Sequence, residues 1–313
     1  MIKLTAEQRA REMEIAEKMV DFDWYSKRPA DQEKLTQYAD TVYDIFYDRL
    51  TGTDQVPAIF NYVKGKAGVK IKARRNYGGK VFERSYGEFK RVSHIKTTHY
   101  SMTTTPAAVH LDPTVEELRA GIILPSELAE MAVDAIKYHR LKMIWSTLKT
   151  ALPSTDSDLC TNLGTSITQS DLDTAIDTLG DKAMITAIWG RRPYIGQIFN
   201  FSGYDGGTGY PDSVKEELHR RGALNFYKGI PVFLLPEARD EVYTADATDT
   251  GNLFLITNKR EYNRFVEVTP PEQKYEVTIQ DGRFHLIYDI EDGFAVWETR
   301  WMHRGWDGTA GNA

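Results

Sequence analysis

Residues 124–152 read LPSELAEMAVDAIKYHRLKMIWSTLKTAL, the longest uninterrupted helical pattern in the chain. Pro125 suits the first helical position, where a missing N–H costs nothing, and Glu127 and Glu130 sit in the first turn near the positive end of the helix dipole. Lys149 falls in the last turn and Pro153 stops the helix. Leu128, Met131, Ala135, Tyr138, Leu141, Trp145, Leu148 and Leu152 recur at steps of three and four, which predicts one continuous apolar stripe. At 1.5 Å per residue the element runs roughly 40 Å. Regions of strand character lie on either side of it, so the sequence predicts a strut against which sheets pack.

Composition sets the bounds around this strut. With 313 residues, 41% hydrophobic and 27% charged, the chain can bury a core of one large domain or two ordinary ones. Seventeen Tyr, thirteen Phe and six Trp favour strands and interfaces. Cys160 is the single cysteine, which excludes disulfide frameworks and cysteine-based metal sites within one chain and points to a reducing compartment. The opening MIKLTAEQRA has no apolar run behind its charges, so no signal peptide is expected, and no eighteen apolar residues run together to span a membrane. A net charge of -6 argues against a dedicated nucleic-acid binder, but the charge is unevenly spread.

Upstream of the strut, Thr5 and Gln8 have capping-box spacing and open a predicted helix to about Val20. A second helix is predicted from Leu35, Tyr38, Val42, Ile45 and Phe46, ending at Gly52. Two short helices bury too little to stand alone, so residues 1–61 read as an N-terminal arm. From Tyr62 to Lys96 the chain turns basic, with eleven Lys and Arg against Glu83 and Glu88. Val69, Ile71 and Ala73 alternate with Lys70, Lys72 and Arg74, Asn76-Tyr77-Gly78-Gly79 suits a tight turn, and Val81-Phe82 starts the return. A long hairpin of this kind buries little apolar area and calls for a partner outside its own domain. Two other readings are a solvated edge hairpin and a nucleic-acid ribbon, in which Tyr77, Phe82, Tyr86 and Phe89 would stack on bases.

Downstream of the strut, a polar loop (154–166) leads to a helix through Leu172, Ala175, Ile176 and Leu179, and Met184–Gly190 reads as a buried strand. A helix from about Pro211 to Arg221 and strands at Gly229–Pro236 and Asn252–Thr257 complete an α/β module over 155–265. The end is β only: Asp281-Gly282 and Asp292-Gly293 are read as two hairpin turns joining a three-stranded meander, and Gly305–Ala313 as a loose tail.

No catalytic or metal signature emerges. The histidines, His94, His99, His139 and His219 among them, have no partner at ligand spacing, and no H-x-x-x-H or H-E-x-x-H occurs. Ser202–Gly209 is glycine-rich but lacks the lysine of a phosphate loop, so it reads as an exposed loop; an enzyme reading would make it a lid and would predict ligand-stabilised monomers. The sequence therefore predicts no enzyme, no cofactor and no metal.

The order of elements, with the Gly229-x-Pro231-Val232 strand and the late Phe294-Ala295-Val296-Trp297-Glu298-Thr299-Arg300 stretch, resembles major capsid proteins of tailed double-stranded DNA bacteriophages, whose Hong Kong 97 fold is shared by encapsulin shells. The resemblance implies an α+β fold with an N-terminal arm (1–61), an extended β-hairpin loop (62–104) and a peripheral domain (105–154 and 266–313) carrying a spine helix (125–152). It also implies an α/β axial domain (155–265). It further implies that Lys70, Lys72, Arg74, Arg75, Tyr77, Lys80 and Phe82 contact a neighbouring subunit. Hexamers and pentamers of the chain would close an icosahedral shell around phage DNA without sequence-specific binding, assembled in the host cytoplasm, with no membrane. Scaffolding protein, portal and a decoration protein are the implied partners, the scaffold being separate because the arm is short. The alternatives are an encapsulin-like nanocompartment and a nucleic-acid-binding protein using residues 62–96.

Overall fold

The computed structural model describes residues 33, 35–43, 45–46, 59–66, 71–76, 97–102, 104–120, 122–201, 226–235, 251–258, 263–269 and 275–308. The expected helices near 5–20 and 211–221 and the 202–209 loop lie outside them. The spine helix spans Pro125–Ala151, with the Glu127 carboxylate accepting the Leu124 backbone N–H at 3.0 Å. It ends where the Leu152 N–H reaches the Leu148 carbonyl.

The single apolar stripe needs correcting. Leu128, Leu141, Trp145 and Leu148 are buried as expected, but Met131 is exposed and Ala135 and Tyr138 are only half-buried. Ala129, Ala132, Val133, Ile136, Arg140 and Ile144 are buried instead. At 100° per residue, the buried face of the first half and that of the second are about 120° apart. Two cores explain this swing. Leu128 to Ile136 pack with the helical residues 35–43 and with Phe284, Leu286 and Tyr288. Leu141 to Leu152 pack with Phe60, Trp189, Phe254, Phe265 and Phe294. A stripe read along one line cannot follow a helix that changes sheets halfway.

The strands, in chain order, are β1 (Asn61–Lys66), β2 (Ile71–Asn76), β3 (Thr97–Met102), β4 (Thr105–Leu111), β5 (Cys160–Asn162), β6 (Ile185–Arg191), β7 (Phe226–Tyr227), β8 (Ile230–Leu235), β9 (Asn252–Thr257), β10 (Asn263–Thr269), β11 (Glu276–Gln280), β12 (Arg283–Val296) and β13 (Met302–Trp306). One sheet has the order β1-β10-β12-β11, with β4 on the other edge of β12. The second has the order β5-β13-β9-β6-β8-β7, and β2 with β3 forms a ribbon belonging to neither. The helix Gln169–Gly180, capped by the Thr168 hydroxyl accepting from the Asp171 N–H, covers the second sheet through Leu172, Ala175, Ile176 and Leu179.

The closing hairpins are half right. Asp281-Gly282 is a turn with φ of 52° and 76°, the left-handed pair that a two-residue hairpin demands. Asp292-Gly293 is not a turn: β12 runs through it as one strand of 14 residues. The Asp292 carboxylate points inward to Arg140, so the dipeptide belongs to the core. Nor is Gly305 the start of a tail, because β13 pairs with β9 and β5. A side chain at Gly305 would run into Leu163, and the strand is buried through Gly305.

Candidate assembly surface

The ribbon is built by sequence alternation and fixed by register. Ile71 pairs with Met102, Ala73 with Tyr100, Arg74 with His99 and Asn76 with Thr97, all antiparallel. The partner of the basic strand is therefore 97–102 and not the stretch beginning at Val81, so a tight turn at Asn76–Gly79 does not join these two strands. Register over six pairs outweighs the local turn propensity of residues 76–79. Lys72, Arg74 and Arg75 lie on β2, while Lys70, Tyr77, Lys80 and Phe82 lie outside the described residues. At its base the ribbon is tied to the chain by Met102, which packs with Val63, Ala295 and Trp297.

β1 takes in Asn61, the last residue of the expected arm, and Tyr62–Lys66, expected to open the loop, and is an edge strand parallel to β10. Helical residues of the expected arm pack into the first core: Leu35, Tyr38, Val42 and Phe46 are buried, Phe46 stacks on Tyr288 at 4.9 Å, and Asp40 accepts the Tyr275 hydroxyl at 2.7 Å.

Two buried arginines hold the body that carries the ribbon, and the sequence reading missed both. Arg140 reaches Asp292 through Nε at 2.9 Å and through a second nitrogen at 3.2 Å, and its guanidinium lies 5.4 Å from the Phe265 ring. Arg304 donates to Asn252 at 2.8 Å and to the Leu152 carbonyl at 3.0 Å, placing a cation at the negative end of the spine helix. The signal for the first was an arginine inside an apolar helical face; nothing local marked the second.

Chemistry is sparse on this body. Among the described residues no group of three or more His, Cys, Asp and Glu is placed to hold a metal. Burial pushes the Cys160 thiol up to about 11, too high for a thiolate nucleophile. His110 Nε2 and His285 Nδ1 meet at 2.9 Å across β4 and β12.

A long helix bridging a five-stranded and a six-stranded sheet, with a detached two-stranded ribbon, is the Hong Kong 97 capsid-type fold, of the α+β class. Solved structures agree. The chain is similar to the capsid structure of the cyanophage P-SCSP1u, with a TM-score of 0.54, 13% identity, and 79% of this chain and 86% of that one covered. A capsid of an empty GTA particle matches at a TM-score of 0.52 with 9% identity over 82% and 90% of the two chains. A Gordonia phage Cozz chain matches at 0.50 with 10% identity over 81% and 86%. No family model and no curated protein matches the chain.

Proposed function

We propose that this chain is a major capsid protein whose copies assemble into hexamers and pentamers of an icosahedral shell around phage double-stranded DNA. The observation that carries the reading is the basic ribbon outside both sheets. Two strands alone are marginal in water, and β2 and β3 pair with neither sheet; among the described side chains the ribbon meets the body through Met102. A neighbouring subunit supplies the missing surface, and the capsid-type fold supplies the precedent for many identical neighbours. Lys70, Lys72, Arg74, Arg75, Tyr77, Lys80 and Phe82 make that contact. On this reading the role is structural, without catalysis, cofactor or metal.

The finer architecture follows the same reading. The arm is residues 1–61, the extended loop is the part of 62–104 beyond β1, and the peripheral domain holds the spine helix and the five-stranded sheet. The axial domain holds the six-stranded sheet, to which β13 is added. Scaffolding protein, portal and decoration protein are the expected partners, and assembly takes place in the host cytoplasm before the virion is complete. Negative-stain microscopy of purified, nuclease-treated protein tests the reading: rings or closed particles support it, and monomers at high concentration contradict it.

A further inference from the structure

We propose that His110 and His285 form a two-histidine site for a divalent transition-metal ion of the zinc, nickel or copper class, and that the ion fastens the edge strand β4 to β12. The inference is independent of the assembly reading, which needs no metal. His110 Nε2 and His285 Nδ1 lie 2.9 Å apart, and their rings are 5.0 Å centre to centre at 30°. The fold brings them together from 175 positions apart in sequence. In the antiparallel register His110 faces Ile287, so His285 is its diagonal neighbour on the adjoining strand. Val109 and Leu111 pack toward the first core, as do Phe284 and Leu286, so strand alternation turns both histidines to the opposite face of the sheet. His110 is exposed and His285 half-buried, which leaves the rings open to an ion from solvent.

Two imidazoles this close make a chelating pair. A tetrahedral zinc ion with Zn–N bonds of about 2.0–2.1 Å holds two ligand nitrogens about 3.3 Å apart, so the rings need to part by only about 0.4 Å. They must also turn about their Cβ–Cγ bonds, a soft motion for histidine. In the hydrogen-bonded pair one ring carries its proton on the nitrogen that faces the other ring. As the ion enters, that proton exchanges through water to the far nitrogen of the same ring, so both lone pairs face the metal and no net proton is released. Imidazole suits these borderline ions, while magnesium and calcium take oxygen ligands.

The surroundings fix the number of protein ligands. Asp112 follows His110 by two residues, but its carboxylate accepts from Arg283 at 2.9 Å. Among the described residues no third His, Cys, Asp or Glu is placed to join the pair. Two nitrogens are the protein's share, and water fills the remaining positions. The ion acts where the sheet is thinnest: among the described residues β12 is the one sheet partner of β4, which follows the ribbon strand β3 directly in the chain. The unfolded chain does not hold residues 110 and 285 together, so the ion binds the folded state and stabilises the β4–β12 seam by mass action.

Equilibrium dialysis of the full chain against Zn²⁺, after stripping with a chelator, tests this. His110→Asn and His285→Asn should each weaken binding of one ion per chain by about tenfold or more, since half of a chelating pair is a lone imidazole. His139→Asn, at a half-buried histidine on the spine helix, should bind as the parent does. Hydrogen exchange of the parent with and without Zn²⁺ keeps the test valid if a variant misfolds: protection should concentrate in residues 105–111 and 283–292, and Mg²⁺ should give none. Parent-like Zn²⁺ binding in either single variant, or a Zn²⁺ effect on exchange that is absent or lies elsewhere in the chain, would overturn the site.

Discussion

Asp292 shows how a residue's meaning is set by what lies across from it. Its side chain and that of Arg140 are each 2% exposed, so removing one partner leaves the other charged and buried. Arg140→Ala should therefore destabilise the subunit by about 3–5 kcal/mol in urea unfolding, whereas replacing both residues with apolar ones of similar volume should cost far less. Asp292-Gly293 has the composition of a hairpin turn, and the partner that makes it core sits 152 positions away in sequence. Asp281-Gly282, by contrast, takes the left-handed turn that its composition predicts. His303 gives a second test. Its Nε2 and the Thr161 hydroxyl share a hydrogen bond at 2.7 Å, and the ring also meets the Asp158 backbone. Burial first, and Lys182 second, lower its pKa from 6.5 to about 4. Between those values the unfolded chain binds the proton and the folded chain does not. Stability is thus fully present above about pH 6.5 and declines as pH falls towards 4, by up to about 3 kcal/mol. Melts of the parent and of His303→Gln at pH 4.5 and pH 7 check this: the variant should show a smaller loss between the two.

The spine helix and the ribbon were both legible as elements, for opposite reasons. The helix has unbroken apolar spacing with Pro125 and Pro153 at its ends; the ribbon has strand alternation with a concentration of charge found nowhere else in the chain. What stayed hidden was where each element turned its faces. The helix's buried face swings between two cores, which one helical period does not encode, and the ribbon's pairing is set by register with Thr97–Met102. Trp145 tests the second core. It meets Trp189 edge-on at 5.4 Å and Phe254 at 4.8 Å, so Trp145→Ala should cost about 3–5 kcal/mol of stability by thermal or urea unfolding. An unchanged melting curve would show that the helix does not join the second core. Deleting Lys70–Phe82 tests the ribbon. Because β2 belongs to neither sheet, the deletion should leave a cooperatively folding subunit that no longer assembles. Loss of the folded monomer would make the ribbon internal structure instead.

At the scale of the whole molecule, the order of elements carried the fold class, but strand order could not be read from it. β1 lies parallel to β10 some two hundred residues later, and β13 closes a sheet begun at β5. Such pairings rest on long-range burial, which leaves no local mark in sequence. Charge asymmetry was legible, and it bears on assembly. Replacing Arg74, Arg75 and Lys80 with Glu should block particle formation, and assembly of the parent should respond to ionic strength, since exposed charges are screened beyond about 8–10 Å at physiological salt. A nucleic-acid ribbon would respond to salt as well, so the decisive condition is the absence of nucleic acid. The most direct measurement is size-exclusion chromatography with negative-stain microscopy of the nuclease-treated parent beside the triple Glu variant. A shell-forming subunit gives rings or closed particles for the parent and isolated folded subunits for the variant. A parent that stays monomeric until DNA or RNA is added, with a variant that loses only that binding, would contradict the account.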